Sequence, residues 1–218
     1  MKNNFISIFD LFKIGIGPSS SHTTGPMVAA NKFIESDDIV LTKIKSINIE
    51  LFGSLAHTGY GHKIDKALIM GLHGVKPSNI SSKYMIPYTN NVYKKNNLLL
   101  NNQVEIYFNP QKSILYNKNK IFDYHSNALK FTAFDENSKI CEKIYFSIGG
   151  GFVVEKDKEN KNNILTNKFN YRTGRDLLEL CEKNKLNIYD IVLKNEYKFN
   201  DKEFVESKIL QISNIMDE

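Results

Sequence analysis

Apolar and polar positions alternate between residues 44 and 52. Ile47, Ile49 and Leu51 fall on one face, with Asn48 and Glu50 on the other, which predicts a strand buried on one side. The same period returns in Val104-Glu105-Ile106-Tyr107-Phe108, closed by Asn109-Pro110. It returns again in residues 128–134, where Leu129, Phe131 and Ala133 share a face, and in residues 140–148. The last two runs predict a hairpin around Asp135-Glu136-Asn137-Ser138. Between the strands the period lengthens. Ser7 to Gly15 reads as a short helix that Ser7 can cap and Gly15 can end. Met27, Ala30, Phe33 and Ile34 recur at helical spacing behind Pro26. Ile64, Ala67, Leu68, Gly71 and Leu72 do so again, with Gly74 placed to terminate them. Residues 75–103, which hold Pro77 and Pro87, read as irregular. Helices and strands in mixed order, many of the strands in hairpins, predict an α+β fold: a mixed, partly antiparallel sheet with helices packed on it.

The pattern changes at Glu155. Residues 155–168 are almost all charged or Asn and read as a linker. The expected organisation is therefore a first domain over 1–155, a linker over 156–168 and a short helical tail over 169–218. In the tail, Thr173-Gly174-Arg175-Asp176 opens a helix with Leu177, Leu178, Leu180 and Cys181 on its apolar face. Residues 187–193 predict a second helix and residues 201–216 a third, whose stripe is Val205, Ile209, Ile212 and Met216. That stripe is expected to seek a partner surface.

Composition narrows the classes. With 218 residues and 41% apolar, the chain can bury a core without disulfide help. The net charge of +5 is carried by lysine, since arginine occurs only at Arg172 and Arg175. The lysine and asparagine runs read as solvated loops, not as a basic stripe with interleaved aromatics, so nucleic acid is not an expected partner. No apolar run approaches the ~20 residues a membrane helix needs. The N-terminal apolar stretch carries Asp10 and Lys13, unlike a signal peptide, and a cytoplasmic location is expected. Cys141 and Cys181 stand 40 residues apart without metal-ligand spacing and read as small buried hydrophobes.

Candidate chemistry gathers in three stretches. Ser19-Ser20-Ser21-His22-Thr23 follows Gly17-Pro18 and runs into a helix, so hydroxyls and free backbone N–H groups favour a small carboxylate or phosphate. There is no GxxxxGK[ST] pattern that would single out a nucleotide. Gly59-Tyr60-Gly61-His62 precedes another helix. There the positive end of the dipole disfavours the imidazolium and makes His62 a candidate general base, with Asp65 one turn on to orient the ring. The third is Ser147-Ile148-Gly149-Gly150-Gly151, whose three glycines after a strand suit either an anion nest or a sharp reversal between strands.

The stretch Ser7-Ile8-Phe9-Asp10-Leu11-Phe12-Lys13-Ile14-Gly15-Ile16-Gly17-Pro18-Ser19-Ser20-Ser21-His22-Thr23 resembles the opening of the iron–sulfur-dependent bacterial L-serine dehydratases, the L-serine ammonia-lyases. Gly53-Ser54-Leu55-Ala56 with Thr58-Gly59-Tyr60-Gly61-His62 and Asp65-Lys66-Ala67 is similar to a second signature. His125-Ser126-Asn127-Ala128-Leu129-Lys130-Phe131 and Tyr145-Phe146-Ser147-Ile148-Gly149-Gly150-Gly151-Phe152 are similar to two more, and Tyr171 to Cys181 to a fifth.

The resemblance implies a β domain related in fold to the allosteric substrate-binding domain of some phosphoglycerate dehydrogenases. It implies β-elimination of water from L-serine to give pyruvate and ammonia, a reaction of amino-acid degradation and gluconeogenesis. The cofactor it implies is a [4Fe-4S] cluster, with no pyridoxal phosphate. His62 falls on the family's general-base histidine, and Ser19, Ser20, Ser21, His22 and Thr23 on the segment that closes over the substrate. The family's cluster cysteines lie in a further helical α domain, and neither Cys141 nor Cys181 matches them. An α domain or α subunit is therefore the expected partner, alongside L-serine, in an oligomer, and the chain is expected to be inactive alone. The alternative expectation is a stand-alone binding module for a small anion or amino acid, or an inactive truncated remnant.

Overall fold

The computed structural model describes residues 6–136, 138–158 and 167–217. They divide into two compact units, residues 15–158 and residues 6–14 together with 167–217. The core of the expected linker, residues 159–166, lies outside the described residues.

The larger unit opens with a π-helical turn, Ser20–Thr24, that runs directly into a helix over Gly25–Ile34. To keep one numbering, the four-residue helix Ile8–Leu11 is α1 and Gly25–Ile34 is α2. Next come β1 (Ser46–Phe52), α3 (Gly53–Thr58) and α4 (Ile64–Leu72). They are followed by α5 (Ser82–Lys95), β2 (Asn97–Leu100), β3 (Val104–Tyr107), α6 (Pro110–Ser113) and β4 (Ile114–Asn117). The unit closes with β5 (Ala128–Phe134), β6 (Lys139–Gly149) and β7 (Phe152–Glu155).

The described strands form one open, mixed sheet of seven in the order β2-β3-β1-β5-β6-β7, with β4 also on β1. β1 runs parallel to β3 and β4 and antiparallel to β5. This is the expected α+β class. Register explains the alternation in the sequence. Ile47, Ile49 and Leu51 pair with Ala133, Phe131 and Leu129, and all six are fully buried on one face. The intervening Glu50 lies opposite Lys130 and the two form an ion pair on the other face. On the buried face, α2 contributes Ala29, Ala30, Phe33 and Ile34, and α4 contributes Ile64, Leu68, Ile69 and Leu72. Phe33 stacks on Phe131 with ring centroids 4.9 Å apart.

Two expectations are corrected. Residues 75–103 are not irregular: they hold α5 and β2. Pro87 lies inside α5. It costs that helix one backbone hydrogen bond, and burial of Met85, Tyr88, Thr89 and Val92 on one face offsets the loss. The stretch between Phe52 and His62 begins with the short α3. The first helix stops at Leu11 instead of reaching Gly15, although Ser7 caps it through Phe9 N as expected. The triple glycine is the reversal between β6 and β7: all three residues have positive φ, a region side chains disfavour.

In the smaller unit, α7 (Gly174–Asn184) starts with a full capping box between Thr173 and Asp176. α8 (Ile188–Glu196) repeats the device with Asn187 and Asp190, and α9 covers Lys202–Asp217. Buried Glu196 accepts hydrogen bonds from Ser7 Oγ (2.9 Å) and Ile8 N (2.7 Å), which ties α1 to α8. The stripe of α9 is only half used. Val205 is buried, while Ile209, Ile212 and Met216 line an apolar groove of about 980 Å³ with α1 and α8. No helix of the described residues is long and apolar enough to cross a membrane.

Candidate active site

The serine-rich turn is held in place by hydrogen bonds to its own backbone and to β6. Ser19 Oγ accepts from His22 N (3.1 Å), and Ser19 O accepts from both Thr23 N and Thr24 N (3.1 Å each). Fully buried Ser147, on β6, donates its hydroxyl to Ser21 O at 2.7 Å. Ser147 N in turn donates to Asn127 O (2.9 Å), and Asn127 Nδ2 to Ser147 O (3.2 Å). Asn127 Oδ1 is buried and has no protein partner.

His62 sits in the turn between α3 and α4. Its backbone N donates to Gly59 O at 3.0 Å, and Lys63 adopts φ +57° to start α4. The ring Nδ1 lies 2.9 Å from Thr58 O. A carbonyl can only accept, so in the neutral ring Nδ1 carries the proton and Nε2 keeps its lone pair. Asp65 does not orient this ring, contrary to expectation. Its buried carboxylate accepts from Tyr93 Oη at 2.5 Å instead, anchoring α4 to α5.

The two stretches, 39 residues apart, meet. Buried Thr23 donates its hydroxyl to His62 O at 2.9 Å. The rings of His22 and His62 lie with centroids 5.0 Å apart, tilted by 41°. His22 Nδ1 is 2.9 Å from Ser21 Oγ, and His22 Nε2 is 2.9 Å from Ser54 Oγ on α3. Burial, and then the proximity of His62, hold the His22 imidazolium below its ordinary range, while the contact with Ser54 pulls the other way.

Sequence reasoning brought Ser19 to Thr23 and His62 forward and placed Ser147 in the third stretch, but gave no role to Ser54 or Asn127. All three lie in stretches that carry the resemblance, yet only the pairing of β5 with β6 and the fold of α3 against the turn bring them close. His73 is buried, with Nδ1 2.9 Å from Leu99 O and Nε2 2.8 Å from Tyr84 Oη, while His57 is exposed and His125 accepts from Asn127 N.

No group of three His, Cys, Asp or Glu among the described residues is placed to hold a metal ion. Cys141 is half-buried in the larger unit and Cys181 is buried in the smaller one; both are free thiols. This donor set does not fit an iron–sulfur cluster, which takes several thiolates converging on one point.

The fold and the cluster define an α+β domain that presents one bare imidazole nitrogen beside a hydroxyl-lined turn at a helix start. Residues 7–158 match the serine dehydratase beta chain family, and the chain belongs to that family. An L-serine dehydratase of Streptomyces coelicolor is 35% identical over 218 residues, covering 97% of this chain and 48% of its own length. One from Haemophilus influenzae is 36% identical, covering 94% and 46%, and one from Helicobacter pylori 38%, covering 87% and 43%. The chain thus spans about half the length of the curated relatives it matches.

Proposed function

We propose that this chain supplies the proton-accepting and carboxylate-holding half of an L-serine dehydratase site. The observation that carries the reading is the lock of His62 Nδ1 on Thr58 O, which leaves Nε2 bare beside the serine-rich turn. In this reading the hydroxyls and N–H groups of Ser19 to Ser21 take the carboxylate of L-serine. Binding it near a helix start also eases the charge that builds on the α-carbon. His62 Nε2 then removes the α-proton as a neutral base. Thr23 holds the His62 turn against the substrate loop and has no hydroxyl hydrogen left for the substrate. Elimination of the β-hydroxyl gives an enamine, which tautomerises to the imine and is hydrolysed to pyruvate and ammonia. The [4Fe-4S] cluster implied by the family finds no ligand set among the described residues, so the reading assigns it to an α domain acting as partner.

The test is complementation. The chain, mixed with a cluster-loaded α domain of the family, is expected to form pyruvate from L-serine. His62→Ala is expected to lower the rate by at least ~10²-fold, the smaller end of what a positioned base contributes. An undiminished rate in His62→Ala removes His62 from the mechanism. Failure with every α domain tried favours the other reading, a stand-alone binding module for a small anion or amino acid.

A further inference from the structure

We propose that His22 is a positioning residue. It sets which way the hydroxyl hydrogens of Ser21 and Ser54 point, and thereby how firmly the turn holds an amino-acid carboxylate. The inference rests on the reading above that this turn takes the carboxylate.

Each ring nitrogen of His22 lies 2.9 Å from a serine hydroxyl, Nδ1 from Ser21 and Nε2 from Ser54. A neutral imidazole has one N–H and one bare nitrogen. The hydroxyl facing the N–H accepts from the ring and keeps its own hydrogen for a ligand. The hydroxyl facing the bare nitrogen gives its hydrogen to the ring and has none left. Neutral His22 therefore leaves one of the two half-buried serines as a donor. The imidazolium donates from both nitrogens, frees both hydroxyl hydrogens and adds a positive charge, all of which favour a carboxylate.

The surroundings agree with a device of this kind. Ser19 and Ser21 neighbour His22 on its own turn, Ser54 faces it from α3, and His62 faces it from the turn before α4. Of these only His62 is titratable. Burial and His62 keep His22 neutral when no anion is present. An arriving carboxylate compensates for both, so proton uptake by His22 and carboxylate binding are linked and each strengthens the other by the same factor.

The experiment uses the full chain labelled with ¹⁵N-histidine and L-serine as the probe. Ring ¹⁵N spectra are expected to show Ser21→Ala and Ser54→Ala moving the His22 tautomer balance in opposite directions. L-serine is expected to raise the His22 pKa on saturation. Its affinity is expected to tighten on going from above to below the His22 titration by about tenfold for each unit of that rise. In His22→Gln, which keeps a donor and an acceptor but cannot charge, the pH slope is expected to vanish. In the complemented enzyme the wild-type KM for L-serine is expected to rise with pH more steeply than that of His22→Gln. An affinity independent of pH, an equal slope in His22→Gln, or no saturable binding of L-serine at any pH overturns the proposal. The result separates from the test of His62, because His62→Ala is expected to lose pyruvate formation and still show the pH-linked binding.

Discussion

Gly25 is where the site and the stability of the fold meet. It stands at the first position of α2 with ordinary helical φ, so alanine there meets no backbone penalty. The space is the obstacle. A Cβ on Gly25 would fall well inside contact distance of Ser147 Oγ, 2.9 Å from Ser147 Cβ and 3.3 Å from Ser20 O. Ordinary carbon contacts lie at roughly 3.5–4.0 Å. Ser147 is fully buried on β6, so it cannot swing into solvent, and turning its hydroxyl away breaks the 2.7 Å bond to Ser21 O. Overpacking a filled core costs about 1–3 kcal/mol and losing a buried hydrogen bond about 1 kcal/mol. The better helix propensity of alanine returns at most ~1 kcal/mol. The net expectation for Gly25→Ala is a loss of about 1–3 kcal/mol, together with displacement of Ser21. Urea denaturation followed by far-UV circular dichroism measures the first, as a lower midpoint with unchanged slope. The ring ¹⁵N shifts of His22, whose Nδ1 rests on Ser21, report the second. Ser147→Ala alone should lose only the hydrogen bond and destabilise less. A Gly25→Ala chain with wild-type midpoint and unshifted His22 would falsify the claim that β6 holds the serine-rich turn by direct contact.

Two further outcomes follow from buried polar groups. Tyr93→Phe removes the donor to the buried Asp65 carboxylate and is expected to cost about 1–3 kcal/mol, read as a lower urea midpoint, with part of the loss recovered in the Tyr93→Phe, Asp65→Leu double variant. The phenols of Tyr88, Tyr116 and Tyr145 are each pushed up to about 12 by burial, so the folded chain holds their protons more tightly than the unfolded one; stability is therefore expected to be level below about pH 10 and to fall as pH rises from there towards 12, with phenolate absorbance rising at the same transition.

The sheet was legible because one of its faces is buried and the other wet. In β1 that asymmetry writes itself as Ile47, Ile49 and Leu51 between Asn48 and Glu50, and the partner strand β5 repeats it. α5 was not legible for the opposite reason. Half of its buried face is Tyr88 and Thr89, and Pro87 breaks the local signal, while packing on residues outside the helix, such as His73 against Tyr84 and Tyr88, supplies stabilisation. The same contrast runs through the site. Ser19 to Thr23 and His62 could be named from composition and from helix starts. Asp65 was misassigned because its spacing along α4 suits His62 equally well, and only the position of α5 decides in favour of Tyr93. Ser54 and Ser147 act through hydroxyls delivered from α3 and β6, so their roles exist only once those elements have docked.

That delivery bears on how two histidines 5.0 Å apart can do different work. Their partners differ in kind. His62 Nδ1 faces a carbonyl, which fixes its tautomer and leaves one nitrogen committed to accepting. His22 faces two hydroxyls, each able to donate or accept, so its tautomer is free to follow the ligand. In the proposed function a base must be neutral to take a proton, whereas the carboxylate cradle is strongest when His22 carries one. The two requirements oppose each other in pH, and burial with the proximity of His62 disfavours the charge on His22 while the cradle is empty. In that reading a bound carboxylate places its negative charge next to His22 and favours a proton there. Substrate binding in the proposed function therefore makes His22 the charged holder, while His62, its Nδ1 committed to Thr58 O, offers Nε2 as the acceptor.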